Sequence, residues 1–114
     1  MAEGGGRWAL SLAEALALPV PAGRRSALAL AHGTMSVRFY APAGRDEQTP
    51  HDQDEIYVVA RGRGRFLRAG DRVPFAPGTV LFVPAGVEHR FEDFTDDFAT
   101  WVVFWGPDGG EGDG

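Results

Sequence analysis

The feature that most constrains this chain is a series of short apolar segments, each ended by glycine or proline. The segments follow one another from residue 26 to residue 105, and none exceeds eight residues. Short apolar runs between turn residues are typical of β-strands. We therefore predict an all-β sandwich or barrel rather than a parallel α/β sheet. The predicted strands are residues 26–31, 34–41, 55–60, 64–68, 72–75, 79–83, 89–92 and 99–105.

Composition narrows the possible functions. The 114 residues are 44% hydrophobic, which is enough for one small core. The chain has no cysteine, so disulfides, thiolate metal sites and a cysteine nucleophile are excluded. All eleven basic residues are arginine, which also excludes a Schiff-base lysine. The net charge of −5 argues against nucleic-acid binding, because that binding depends on neutralising phosphates.

The two ends of the chain differ in composition from its middle. We expect residues 1–10 to be flexible, residues 11–105 to form one domain, and residues 106–114 to form a disordered, acidic, glycine-rich tail. The apolar runs are too short to span a membrane, and the N-terminus lacks the pattern of a secretory signal. A cytoplasmic protein with no membrane partner is therefore expected.

A helix start signal lies near the beginning of the domain. Ser11 and Glu14 have the spacing of a capping box, and leucines follow them closely. This pattern predicts a short helix over residues 12–18, which Pro19 ends.

The chemically reactive residues are concentrated in two stretches. The first, residues 49–64, places His51 and Glu55 just before an apolar strand that ends on glycines. The second, residues 78–93, is an apolar strand followed by a Pro-Ala-Gly turn and then by His89. Each stretch therefore predicts a site beside a strand.

These two stretches resemble the two motifs of the cupins, a family of small β-barrel proteins. The first cupin motif has a glutamate followed after six residues by glycine, as Glu55 and Gly62 are here. The second consists of glycine, five residues, Pro-x-Gly, two residues, histidine, three residues and asparagine. Its positions are filled here by Gly78, Pro84, Gly86, His89 and, as the one departure, Asp93. The resemblance covers roughly residues 34–105. It implies a cupin-type double-stranded β-helix, also called a jelly-roll barrel, with the short N-terminal helix outside it.

The first motif is incomplete, because cupins carry His-x-His before the glutamate and this chain has one histidine there. If the glutamate spacing is kept, His51 takes the place of the second histidine and Thr49 that of the first. If the chain is two residues shorter at this point, His51 is the first histidine and Gln53 replaces the second. The sequence is compatible with both alignments.

The resemblance implies a metal site made by His51, Glu55 and His89. A straight strand would hold His51 and Glu55 about 13 Å apart, so they share a metal only if residues 52–54 bend the chain. The Asp-Gln-Asp composition of those residues permits a bend. Two imidazoles and one carboxylate suit one divalent ion, namely iron, zinc, manganese or nickel, and leave coordination positions open.

Other polar and aromatic residues are candidates for supporting roles. Gln53, or Gln48 in its place, can supply a fourth oxygen ligand. His32 lies in a predicted turn outside both motifs and is expected to be exposed. Tyr57 and Phe91 are candidates to line a ligand pocket beside the metal, and the alternative is that these aromatic rings fill the core.

The function that the resemblance implies is binding of a small molecule, or action on it, at the barrel mouth. Cupins with metal sites include dioxygenases and isomerases, and the fold alone does not choose among them. The alternative is a non-catalytic cupin that binds or senses a small ligand without a required metal. In that case His51 and His89 form only hydrogen bonds at the barrel mouth.

The last predicted strand is apolar on both faces. One face carries Trp101, Val103 and Trp105, and the other carries Val102 and Phe104. A strand of this kind must be covered on both sides, which predicts a homodimer with this strand near its interface. The alternative is that the helix or the first strand of the same subunit covers it.

Overall fold

The computed structural model describes residues 7–46 and 49–112, which form one short helix and eight strands. Gln48, most of the predicted flexible segment at residues 1–10 and the last two residues lie outside the described residues. The elements are α1 Leu12–Leu16, β1 Ala27–His32, β2 Met35–Tyr40, β3 Asp54–Arg61, β4 Gly64–Arg68, β5 Asp71–Phe75, β6 Val80–Val83, β7 His89–Glu92 and β8 Ala99–Trp105. The eight predicted strands are confirmed, and their bounds differ from the predicted ones by no more than one residue at either end.

The strands form two antiparallel sheets. One has five strands in the order β1-β2-β8-β3-β6, and the other has three strands in the order β5-β4-β7. The chain passes from one sheet to the other several times, so neighbours in a sheet are often distant in sequence. In particular, the first stretch of reactive residues leads into β3 of the larger sheet, while His89 begins β7 of the smaller one.

The inner faces of the two sheets pack together through a largely aromatic core. Its buried members are Tyr40, Tyr57, Val59, Phe66, Phe75, Leu81, Val83, Phe91, Phe98 and Val102. Phe91 lies at the centre, with ring centroids 4.8 Å from Tyr57 and 4.6 Å from Phe98. Such close edge-to-face and tilted contacts hold the two sheets in one relative position.

The helix forms where the capping box predicts it. The Ser11 hydroxyl accepts a hydrogen bond from the Glu14 backbone N–H, and the Glu14 carboxylate accepts one from the Ser11 backbone N–H. The helix ends at Leu16, two residues earlier than predicted, since Ala17 already caps it. No helix within residues 7–46 and 49–112 is long and apolar enough to cross a membrane.

Helix α1 covers one end of the outer face of the five-stranded sheet. Ala15 packs there in a small cluster with Phe39 and Ala99, and Trp101 packs against this cluster. The rings of Phe39 and Trp101 meet edge to face at 5.0 Å. The helix therefore covers part of the apolar outer face of β8 within the subunit.

The other end of this outer face is less covered by the described residues. Val103 and Trp105 are half-buried, and on the neighbouring strand β6 the side chains of Val80 and Phe82 are 61% and 46% exposed. The homodimer predicted from β8 stays a prediction, and this remaining apolar surface is where it would form.

The described part of the C-terminal tail, residues 106–112, folds back onto the loop before β3. The Gly109 N–H donates to the Asp52 carbonyl at 2.7 Å, and the Glu111 N–H donates to the Asp54 carboxylate at 3.0 Å. The glycine-rich composition predicts a disordered segment here, because it has little to bury. The contacts are made by backbone N–H groups, whose partners composition does not reveal.

Candidate metal centre

Three of the predicted site residues meet between the two sheets. His51 precedes the bend that leads into β3, Glu55 is the second residue of β3, and His89 is the first residue of β7. One ligand atom from each residue lies within 4.8 Å of the others. His51 Nε2 is 3.9 Å and His89 Nε2 is 3.0 Å from Glu55 Oε1. The bend at residues 52–53 therefore produces the convergence that a straight strand would prevent.

Glu55 is the most unusual member of this cluster. Its side chain is only 1% exposed, and neither carboxylate oxygen has a hydrogen-bond partner within the described residues. The 3.0 Å contact with His89 lacks the alignment of a hydrogen bond. A buried carboxylate without partners is costly unless a cation neutralises it. The chemistry of Glu55 thus fits a metal ligand.

The spacing of the donor atoms also fits a metal ion. Nitrogen and oxygen ligands lie about 2.1 Å from a divalent transition metal, so neighbouring donors at right angles are about 3 Å apart. Glu55 Oε1 lies 3.0 Å and 3.9 Å from the two imidazole nitrogens, and all three atoms lie within 4.8 Å of one another, so binding one ion requires a small closure of the cluster. The donor set of two imidazole nitrogens and one carboxylate suits iron, zinc, manganese or nickel.

His89 is held in the orientation that a metal ligand needs. It is buried, and its Nδ1–H donates to the Val87 carbonyl at 2.9 Å, because a carbonyl can only accept. This hydrogen bond directs Nε2 toward Glu55 and toward the Tyr57 hydroxyl, which lies 3.0 Å away. Histidine ligands usually have such a second partner, which fixes the ring.

The two histidines differ in their affinity for protons. Burial lowers the pKa of His51, and this effect exceeds the opposing effect of the Glu55 charge. Burial also lowers the pKa of His89, but the Glu55 carboxylate and the bond to the Val87 carbonyl raise it by more, so the net direction is upward. His51 therefore remains neutral and available as a ligand, whereas a proton competes with a metal at His89.

A buried carboxylate next to the site connects the two motifs. Asp54 accepts hydrogen bonds from the Ala85 N–H at 2.9 Å and from the Glu111 N–H at 3.0 Å. These bonds keep the pKa of Asp54 below its usual value. In addition, the Gly86 N–H donates to the His51 carbonyl at 2.8 Å. The Pro-Ala-Gly turn is thereby attached to the loop that carries His51, and sequence reasoning gave no sign of this role for Asp54.

The structure also bears on the incomplete first motif. The Gln53 amide nitrogen donates to the Thr34 carbonyl at 3.1 Å and to the Gly106 carbonyl at 2.8 Å. These contacts favour a role for Gln53 in holding the loop over a role as a fourth ligand. Thr49 and Gln53 both lie with His51 on the wall of a cavity, so both alignments of the first motif stay open.

The two aromatic pocket candidates differ in their surroundings. Phe91 is 1% exposed and packs against Tyr57 and Phe98 in the core, as the core-filling alternative supposed. Tyr57 is fully buried in the same core, but its hydroxyl reaches His89. Only Tyr57 of this pair therefore has a polar contact with the cluster.

Asp93, the departure at the end of the second motif, has an unusual backbone conformation. It is left-handed with φ of 52°, which aspartate and asparagine tolerate better than most residues. Its carboxylate also lies 3.2 Å from the Arg65 guanidinium on the neighbouring strand. Aspartate is thus compatible with the local backbone at this position.

A cavity of about 630 Å³ opens beside His51. Its walls come from the turn before β1, from the inner faces of β2 and β8, from the loop of the first motif and from the tail. The lining residues are Gly23, Arg24, Arg25, Ser26, Ser36, Arg38, Tyr40, Thr49, His51, Asp52, Gln53, Val102, Phe104 and Asp108. This volume lies within the range of small-molecule sites.

Comparisons with known proteins agree with this architecture. An uncharacterised protein of Streptomyces coelicolor is 43% identical over 76 residues, which cover 65% of this chain and 72% of that protein. A structure of unknown function from Rhizobium leguminosarum superposes with a TM-score of 0.70 at 20% identity, covering 88% of this chain and 97% of the other. A Cupin 2 conserved barrel domain protein from Salinispora arenicola gives a TM-score of 0.60 at 24% identity, with 87% and 89% covered.

A family profile matches a longer segment of the chain than the two motifs cover. The profile of the cupin domain matches residues 36–105, a segment that contains both motifs and seven of the eight strands in whole or in large part. The cupin fold and the His51, Glu55 and His89 cluster, which can bind a metal, are therefore found in the same segment. The chain belongs to the cupin family.

Proposed function

We propose that this protein is a metal-dependent cupin that holds one divalent ion at His51, Glu55 and His89 and acts on a small molecule in the adjoining cavity. The observation that carries the proposal is the buried Glu55 carboxylate, whose oxygens have no hydrogen bond among the described residues and face two imidazoles. A divalent cation would neutralise this carboxylate and could be bound by both imidazoles at once. Iron, zinc, manganese and nickel all suit the donor set.

The accessible side of the cluster determines where a substrate binds. Glu55 and His89 are buried, whereas His51 is half-buried and lines the cavity. A small molecule therefore approaches past His51. When bound, a divalent metal polarises an oxygen of its ligand and stabilises developing negative charge there.

The surrounding residues support such chemistry in defined ways. The Val87 carbonyl fixes the His89 ring, and the Phe104 ring packs edge to face on His51 at 4.9 Å. The Tyr57 hydroxyl lies 3.0 Å from His89 Nε2, where it can hold or donate a proton. Dioxygenase-like and isomerase-like reactions both need a metal with open positions in a sheltered cavity, and we propose one of these two classes.

One observation favours a second candidate function. The hydrogen bond between Tyr57 and His89 satisfies the inner nitrogen of the ring without any metal. A non-catalytic cupin that binds a small ligand in the same cavity would use this arrangement. Turnover of a ligand by the metal-loaded protein favours the enzyme, whereas saturable binding without turnover favours the binding protein.

Metal analysis tests the main proposal. The untagged protein, reconstituted with each candidate ion and dialysed, should hold about one ion per chain, as expected for a single three-ligand site. Glu55→Gln and His89→Ala should abolish this binding, while His32→Ala should not, because His32 is exposed and far in sequence from both motifs. Loss of metal in His32→Ala, or retention in both site variants, would contradict the assignment.

We also propose that the protein forms a homodimer through the uncovered end of the outer sheet face. Val80 and Phe82 are exposed there on β6, an edge strand, next to the half-buried Val103 and Trp105. A second copy of the chain presents the same apolar patch, so a two-fold pairing covers both. Sedimentation equilibrium should give a dimer for the wild type and a monomer for Val80→Arg. A monomeric wild type would refute the proposal.

A further inference from the structure

An arginine lies on the inner face of the larger sheet. Arg38 of β2 pairs with Val102 of β8, and Val102 in turn pairs with Tyr57 of β3. Directly opposed residues of antiparallel strands point to the same side. Since Val102 and Tyr57 belong to the buried core, Arg38 points inward as well. It is half-buried and lines the same cavity as His51.

A guanidinium that points into a cavity is suited to binding an anion. Removing it from water is costly, so an inward arginine is normally retained where it binds an anion. Arg38 also interacts with the protein itself. A guanidinium has five N–H donors in a planar fork, so an internal contact leaves donors for a ligand. The fork matches a carboxylate, which accepts two parallel hydrogen bonds.

Charged residues at the rim of the cavity are also separated by sign. Arg24 and Arg25 lie in the turn before β1, on the same side as Arg38, and both are exposed. Asp52 and Asp108 lie with His51 on the side formed by the metal loop and the tail, and they are also exposed. The cavity is therefore cationic on the β1–β2 side and acidic near the metal centre.

We propose that the cavity binds a small organic acid whose carboxylate lies at Arg38 and whose other end faces the metal centre. This inference rests on the proposed function, since it names the substrate class of the same site. Arg38 and Glu55 are two strands apart and two residues out of register, which places their Cα atoms about 12 Å apart. After both side chains are allowed for, the gap suits an acid of about three to six carbons.

The charges favour a carboxylate over a phosphate. A phosphate monoester carries about two negative charges at neutral pH. Among the described residues that line the cavity, Arg38 is the one arginine on a strand, and Asp52 and Asp108 repel a dianion from the opposite side. A monoanionic carboxylate needs one fork of donors, which the N–H groups of Arg38 outside its internal contact can supply, and Arg24 and Arg25 assist its entry by long-range attraction.

Matched pairs of acid and amide test the proposal on the zinc-loaded protein. Pyruvate with pyruvamide, lactate with lactamide, and nicotinate with nicotinamide differ in charge but scarcely in shape. Calorimetric titration of wild type should show at least one acid binding roughly tenfold more tightly than its amide. Arg38→Gln should lose this preference while retaining its zinc. Arg61→Gln is the control, because Arg61 is exposed at the far end of β3 and should leave the preference unchanged.

Two further variants distinguish failure of this inference from failure of the proposed metal site. Arg38→Lys keeps the charge without the fork and should retain only part of the preference, which provides a test even if Arg38→Gln does not fold. In Glu55→Gln, which should lose the metal, the preference for acid should persist because it comes from Arg38. A preference that survives in both Arg38 variants, or that vanishes with the metal, would overturn the inference and leave the metal site intact. Inorganic phosphate that binds more tightly than every acid would overturn it too.

Discussion

Two motif glycines offer a controlled test of how tightly the sheets close around the site. Gly62 and Gly78 both have left-handed backbones, with φ of +87° and +92°. A Cβ on Gly78 would meet nothing within 4 Å. A Cβ on Gly62 would lie 2.6 Å from the Phe98 Cα and 2.8 Å from the Thr95 hydroxyl oxygen. Replacing each by alanine thus separates backbone strain from steric contact.

The expected magnitudes follow from this difference. An alanine forced into the left-handed region loses about 1–2 kcal/mol, and this is the whole expected effect of Gly78→Ala. Gly62→Ala has the same strain and must also move the backbone of Phe98, which packs in the aromatic core. Overpacking of a core adds about 1–3 kcal/mol, so the loss for Gly62→Ala should reach about 2–5 kcal/mol.

Urea unfolding of metal-free protein measures both losses. Both variants should keep the wild-type slope against denaturant, which shows that the unfolded states are comparable. The midpoint of Gly62→Ala should fall about one and a half to four times as far as that of Gly78→Ala. Equal losses in the two variants would show that the close approach of Gly62 to Phe98 contributes nothing, and the steric reasoning would be refuted.

Three further outcomes concern the metal centre. Asp54→Ala removes the acceptor that joins the two motif loops, so zinc affinity should fall about tenfold in a chelator competition while the chain still melts cooperatively. The raised pKa of His89 means that a proton must leave before metal binds. Zinc affinity should therefore rise with pH up to that pKa and level off above it, and a flat profile would contradict this. If Thr49 stands at the first histidine position, Thr49→His places an imidazole where cupins have one and zinc affinity should increase; unchanged affinity would refute that alignment.

The strands and the two motifs could be predicted from the sequence because their signals are local. Glycine and proline mark the turns wherever a left-handed or fixed φ is needed, as at Gly62 and Gly78. The convergence of His51 and Glu55 was implied by the cupin resemblance, and the distance along a straight strand showed that it requires a bend. The structure has that bend at residues 52–53.

The tail and Asp54 could not be predicted in the same way. Asp54 connects Ala85 and Glu111, which are 31 and 57 residues away in sequence, through backbone N–H groups. Every residue type except proline carries a backbone N–H group, so the residue types at these positions do not indicate the hydrogen bonds to Asp54. The composition of the tail indicated a segment with few apolar side chains to bury. Composition does not show which backbone groups form hydrogen bonds, and the tail is held by such bonds.

Arg38 was missed for a different reason, which lies in the pattern of β2 itself. Alternation places Ser36, Arg38 and Tyr40 on one face and Val37 and Phe39 on the other, and the usual interpretation assigns the apolar face to the core. In this fold the helix packs on the outer face, against Phe39, so the outer face is apolar. The inner face of β2 is polar at Ser36 and Arg38, which line a cavity, and joins the packed core at Tyr40. An inverted pattern of this kind on a strand next to a covering helix is therefore itself a signal for a ligand site.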